Sequence, residues 1–92
     1  MKEYWGGSMN GKKVGEVLRF YDHISVAVIN LYAVLKVGDS VHFLGHGSDF
    51  QQDITSMQIE NEPVQQAGKG ELVAVKTIKP VKRGTTVYVM LE

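Results

Sequence analysis

Three histidines, His23, His42 and His46, are the side chains of this 92-residue sequence with most to offer catalysis or a metal ion. Zinc needs three or four ligands converging as a tetrahedron, and a chain without cysteine would have to complete the set with carboxylates such as Asp22 or Asp49. The spacing gives no such cluster. His42 alternates with Val41 and Phe43 in an apolar run, whereas His23 and His46 stand among turn residues, where single histidines are ordinarily just solvated. Ser8, Ser25, Ser40, Ser48 and Ser56 lie outside any GxSxG elbow, and no pairing with a His and an Asp is implied. Asp49, Asp53, Glu60 and Glu62 fall in turn-rich sequence and read as solvated charges rather than paired carboxylates. The expectation is no catalytic residue, no metal ligand and no cofactor. A hydrolase working through His42 or His46 is the weakest reading.

The basic side chains say more. Ten Lys and Arg balance ten Asp and Glu, so the protein as a whole has no field that would draw in nucleic acid or a membrane, and any charge argument is local. Lys69, Lys76, Lys79, Lys82 and Arg83 fall close together, opposed only by Glu71. Such a run can face phosphates, with Lys76, Lys79, Lys82 and Arg83 as candidate RNA contacts. It can equally be a set of lysines at strand ends, keeping edges soluble and unpaired. Phe20, Tyr21, Tyr32 and Tyr88 offer stacking surfaces, although aromatics in small β folds more often serve the core. Tyr4 and Trp5 are the aromatic pair expected to be exposed.

The elements that must position these side chains are strands. At 10.2 kDa the chain makes one domain, burying roughly 60 to 70% of its unfolded surface, too small for a large internal cavity. Residues 1–12 carry no sustained periodicity and read as an N-terminal lead-in, leaving 13–92 as the domain. From Lys13 onward, short Val- and Ile-rich runs are separated by Gly, Asp, Asn or Pro, which predicts strands near 13–21, 24–31, 40–44, 50–59, 71–78 and 85–91. A polar turn at residues 21–24 and a five-residue loop, Gly45 to Asp49, make the neighbours antiparallel. The stretch 60–70, with Pro63 and two glycines, is expected to be the longest internal loop. Apolar runs such as Val26 to Ile29 are far below the roughly 20 residues of a membrane span, and no signal-peptide core follows Met1, so a soluble cytoplasmic protein is expected.

The chain also echoes itself. Leu35-Lys36-Val37-Gly38-Asp39-Ser40-Val41-His42-Phe43 aligns with Val81-Lys82-Arg83-Gly84-Thr85-Thr86-Val87-Tyr88-Val89, and each copy follows an apolar four-run, Val26 to Ile29 or Leu72 to Val75. Each copy implies a turn with glycine at a positive-φ position leading into a strand. Six short strands in one flat layer would leave a bare apolar face and two raw edges, which closure removes. The expected fold is all-β, a single six-stranded Greek-key barrel.

Val14-Gly15-Glu16-Val17, Ala27-Val28, Leu35 to Val41, Ala67-Gly68-Lys69-Gly70 and Val81 to Gly84, in that order, resemble the second, β-barrel domain of translational GTPases such as elongation factor Tu. With Phe50, Gln52, Ile54 and Met57 following Gly45-His46-Gly47, the likeness is closer to the C-terminal barrel of collagenase-like peptidases, several of which act in RNA hydroxylation. The resemblance spans about residues 13–91 and implies a translation-protein type barrel, accessory rather than catalytic. It tilts the basic cluster toward RNA or a ribonucleoprotein as partner, with docking on a separately encoded enzyme as the alternative. The GxxxxGK[ST] loop of a GTPase is missing, so no catalytic residue carries over. The purified protein is expected neither to hydrolyse GTP or ATP nor to retain zinc. A phosphate-release assay and elemental analysis check both.

Overall fold

The computed structural model describes residues 11–91, and every regular element among them is a strand. They are β1 (Gly11–Tyr21), β2 (Val26–Leu31), β3 (Leu35–Lys36), β4 (Ser40–Gly45), β5 (Ser48–Asp53), β6 (Met57–Ile59), β7 (Glu62–Val64), β8 (Gln66–Ala67), β9 (Leu72–Lys76) and β10 (Thr86–Met90). Eight form one antiparallel sheet in the order β5-β4-β10-β1-β2-β9-β6-β7, and β3 pairs with β8 apart from it. No helix among the described residues is long and apolar enough to cross a membrane.

The all-β expectation holds, but the sheet is not the expected six-stranded ring. The 50–59 run divides, because the chain bends between Asp53 and Met57. The stretch 60–70, expected to be a loop, carries β7 and β8. Glu60 and Asn61 take φ of 50° and 69°, a tight two-residue turn that sets Ile59 opposite Glu62. Pro63 is tolerated because β7 is the sheet's edge, where a missing N–H breaks no ladder. The expected five-residue loop tightens in the same way. His46 and Gly47 take φ of 52° and 90°, and Gly45 pairs with Ser48. β1 begins at Gly11, inside the stretch set apart as a lead-in. Tyr4 and Trp5 lie outside the described residues.

The core is the inner face of this sheet. Val17, Ala27, Ile29, Val41, Phe43, Val73 and Val87 have no exposed surface, and no helical layer among the described residues covers them, so the sheet must curl over its own apolar face. Phe43 and Phe50 stack inside it with ring centroids 5.1 Å apart. No backbone ladder among the described residues closes the roll. The edge strand β5 runs on through Ile54–Ser56 into β6, which pairs at the far side of the sheet with β9. Across the gap between β5 and the end of β9 lies Gln52. Its Nε2 donates to the Lys76 carbonyl at 2.8 Å, and its Oε1 accepts the Ile78 N–H at 2.8 Å. One side-chain amide thus takes the part of a ladder rung.

The sequence echo is a structure built twice. The Lys36 carbonyl accepts the Asp39 N–H at 3.0 Å, and the Lys82 carbonyl accepts the Thr85 N–H at 3.1 Å. Gly38, with φ of 100°, donates to the Ile54 carbonyl; Gly84, with φ of 92°, donates to the Val17 carbonyl, both at 2.8 Å. Ile54 and Val17 return the bond to the carbonyls of Asp39 and Thr85, again at 2.8 Å. The strands that follow, β4 and β10, lie side by side with Phe43 opposite Val87. Gly15 answers a different need, since a Cβ there would come within 2.6 Å of the Asn30 carbonyl oxygen where β1 and β2 close up.

Removing the amide of Gln52 leaves a strand-end carbonyl and an N–H unpaired, so Gln52→Ala should cost about 1–3 kcal/mol in urea unfolding. Gln51→Ala, at an exposed neighbour on the opposite face, should fall within about 0.5 kcal/mol of wild type.

Candidate functional site

The four candidate RNA contacts are all exposed, and none is within ion-pair distance of a carboxylate among the described residues. They lie along the end of β9 and its connection to β10. That connection starts at the seam, where Thr77 N–H bonds the Ser25 carbonyl, and ends beside β1, where Gly84 bonds Val17. Lys76 stands on the rim of a groove. The Lys79 ammonium lies 5.6 Å from the centroid of the Phe50 ring, held by cation–π attraction. Lys82 sits in the turn, and Arg83 lines a shallow pocket with Leu18, Arg19 and Phe20. Sequence reasoning missed Arg19, because its proximity to Arg83 depends on a bulge in β1.

The histidines part company. His42 is buried, with Nε2 at 2.7 Å from Asp49 Oδ1 and a buried Nδ1 that has no partner among the described residues. His46 lies over the second glycine turn, where a Cβ on Gly84 would come within 2.8 Å of its Nε2. No three His, Asp or Glu side chains lie close enough together to hold a metal among the described residues.

A concavity of about 910 Å³ lies on the outer face of β2, β9 and β6. Tyr21, Ile24, Val26, Val28, Leu72 and Ala74 line it, and Glu60, Glu71 and Lys76 stand at its border. Ile24 is 57% and Leu72 49% exposed. The inner residues of the same strands, Ala27, Ile29, Val73 and Val75, fill the core. Both faces of β2 and β9 are therefore apolar. The signal was present in the four-runs Val26 to Ile29 and Leu72 to Val75, since a strand that does not alternate is one built to be covered on both sides.

Beside β1, the Tyr32 hydroxyl donates to Glu16 Oε1 at 2.5 Å, and the Lys13 ammonium lies 5.4 Å from the Tyr32 ring centroid. The hydrogen bond to Glu16 raises the Tyr32 pKa above its ordinary value, with smaller contributions from desolvation and from the Glu16 charge.

No family model matches the chain. It is 38% identical over 81 residues to an uncharacterized protease of Methanocaldococcus jannaschii, a match covering 87% of this chain and 20% of that protein. The chain thus spans about a fifth of the length of that curated relative. Two crystal structures of the C-terminal domain of a Geobacillus thermoleovorans protein assigned to the U32 peptidases superpose on it. One, a selenomethionine variant, has a TM-score of 0.79 at 22% identity, covering 83% of this chain and 96% of that domain. The other has a TM-score of 0.80 at 20% identity, covering 88% and 93%. The fold is that of a U32 peptidase C-terminal domain. This agrees with the resemblance to the C-terminal barrel of collagenase-like peptidases, and the U32 C-terminal fold is carried here by a chain with an apolar groove on its outer face.

Tyr32 should ionise above the usual tyrosine range in an ultraviolet titration. Glu16→Gln, which removes the carboxylate acceptor, should move that ionisation back down toward about 10.

Proposed function

We propose that this chain is a non-catalytic accessory domain that docks in the cytoplasm on a peptidase-type catalytic module, encoded separately or on the same polypeptide. The observation that carries the reading is the 38% match to about a fifth of a protease, joined to a fold found as a C-terminal domain of a U32 protein. The groove of β2, β9 and β6 supplies the docking face, because apolar strands left half-covered gain from a partner that finishes the burial. We read the curled sheet as a barrel of the translation-protein type whose seam is closed by Gln52. The repeated glycine turn supports that wider kinship.

A second reading, RNA or ribonucleoprotein binding through Lys76, Lys79, Lys82 and Arg83, is favoured by one observation. All four cations are exposed and have no acidic neighbour within ion-pair distance among the described residues. The two readings respond oppositely to salt.

Tagged protein recovered from its native cell after ribonuclease treatment should retain a peptidase-type catalytic protein at about 0.5 M salt, where exposed charge contacts are screened. Ile24→Asp with Leu72→Asp should release it, while the melting temperature stays nearly constant, because both side chains are exposed. Loss of all partners on ribonuclease treatment, together with sensitivity to Lys79→Glu, Lys82→Glu and Arg83→Glu combined, would transfer the conclusion to RNA.

A further inference from the structure

The pairing register of β1 with β2 slips between Val17 and Arg19, so that Leu18 is the extra, bulged residue. Val17 itself is pinned by the second glycine turn, accepting from the Gly84 N–H and donating to the Thr85 carbonyl, both at 2.8 Å. The bulge and the turn therefore meet. Arg19, just past the bulge, and Arg83, just before Gly84, line one shallow pocket together with Leu18 and Phe20.

The chemistry of that pocket is unbalanced. Both guanidinium groups are exposed, and no carboxylate stands within ion-pair distance of either among the described residues. The polar contact of Arg19 is a long one, Nη1 to the Tyr21 hydroxyl at 3.5 Å, which leaves most of its donor fork open. Phe20 is partly buried and packed on the core, so it offers an anchored aromatic surface beside two open forks. Guanidinium forks take carboxylates or phosphates. A carboxylate would leave one of the two positive charges unanswered, whereas a phosphate monoester carries close to two negative charges near neutral pH. The neighbouring aromatic ring suits a group that stacks.

We propose that Arg19, Arg83 and Phe20 form a site for the phosphate monoester of a nucleotide, the phosphate held between the two arginines and the base laid against Phe20. The proposal goes beyond the accessory reading and does not depend on it, since the docking groove lies on β2, β9 and β6 and contains none of these three residues.

The test is an amide chemical-shift titration of the intact chain with adenosine 5′-monophosphate, adenosine and inorganic phosphate as separate probes. The monophosphate should shift the amides of Arg19, Phe20 and Gly84, with a dissociation constant of about 1 mM, as fits an open site with few contacts. Adenosine should fail to bind, and inorganic phosphate should bind about tenfold more weakly than the nucleotide. Arg19→Ala and Arg83→Ala should each weaken nucleotide binding about tenfold, and Arg19→Lys, which keeps the charge but loses the fork, should fall between. Phe20→Leu keeps apolar bulk on the core and should reduce the nucleotide to the affinity of phosphate alone. Adenosine binding as well as its monophosphate, inorganic phosphate binding as tightly as the nucleotide, or either alanine variant binding like wild type would each overturn the proposal. An unchanged melting temperature in the arginine variants shows that any loss is local.

Discussion

One side-chain amide bridges the two sides of the rolled sheet where no backbone ladder does. The backbone ladder runs from β5 round to β7, and what joins β5 to the end of β9 is Gln52, giving to Lys76 and taking from Ile78. A sheet that fills its own core has to bring its edges near one another, and edges that meet expose N–H and C=O groups in need of partners. The Gln52 amide has one donor side and one acceptor side, as a peptide group has, so it can substitute for one. Phe50, stacked on Phe43 in the core, is two residues away on the same strand, and Lys79 covers its ring from outside.

With the β5 edge bridged by Gln52 and Pro63 on the β7 edge, the outer faces are free to be specialised. Two kinds of surface result. On β2 and β9 the outer positions stay apolar and form the groove, whose border holds both acidic and basic side chains. On the side of the bulge the surface is cationic and has an aromatic ring set into it. The repeated turn separates them in function: its first copy ties β4 to the bend after β5, and its second ties β10 to the bulge of β1. One local motif therefore braces the closure of the core in one place and positions Arg83 in another.

Much of this was legible in the residues. The β class followed from short Val and Ile runs, and the paired turns followed from Gly38 and Gly84 at matching places in an echo. Strand count did not follow, because Pro63 and the glycines around it argue for a loop wherever the edge or interior position of a strand is unknown. Gln52 was invisible as a structural residue, since a polar side chain in a strand normally marks the wet face. The four basic residues were visible as a cluster along the chain, but their placement in space depends on the path of the β9–β10 connection. Arg19 joins Arg83 only through a one-residue slip in register, which has no signature in composition. The groove was the reverse case, its signal present in two unbroken apolar runs that alternate with nothing.

The place of β10 has a consequence for how the chain reaches this state. The last strand described is inserted between β1, the first, and β4, so neither has a neighbour on that side until residues 86–90 arrive. During synthesis the hairpins β1–β2 and β4–β5 can form early from nearby residues, yet they remain two unjoined halves with their inner faces open to water. Closing them depends on contacts spanning nearly the whole chain, the kind that slow folding and lengthen the exposure of sticky intermediates. The two halves thus wait on one five-residue strand to join them.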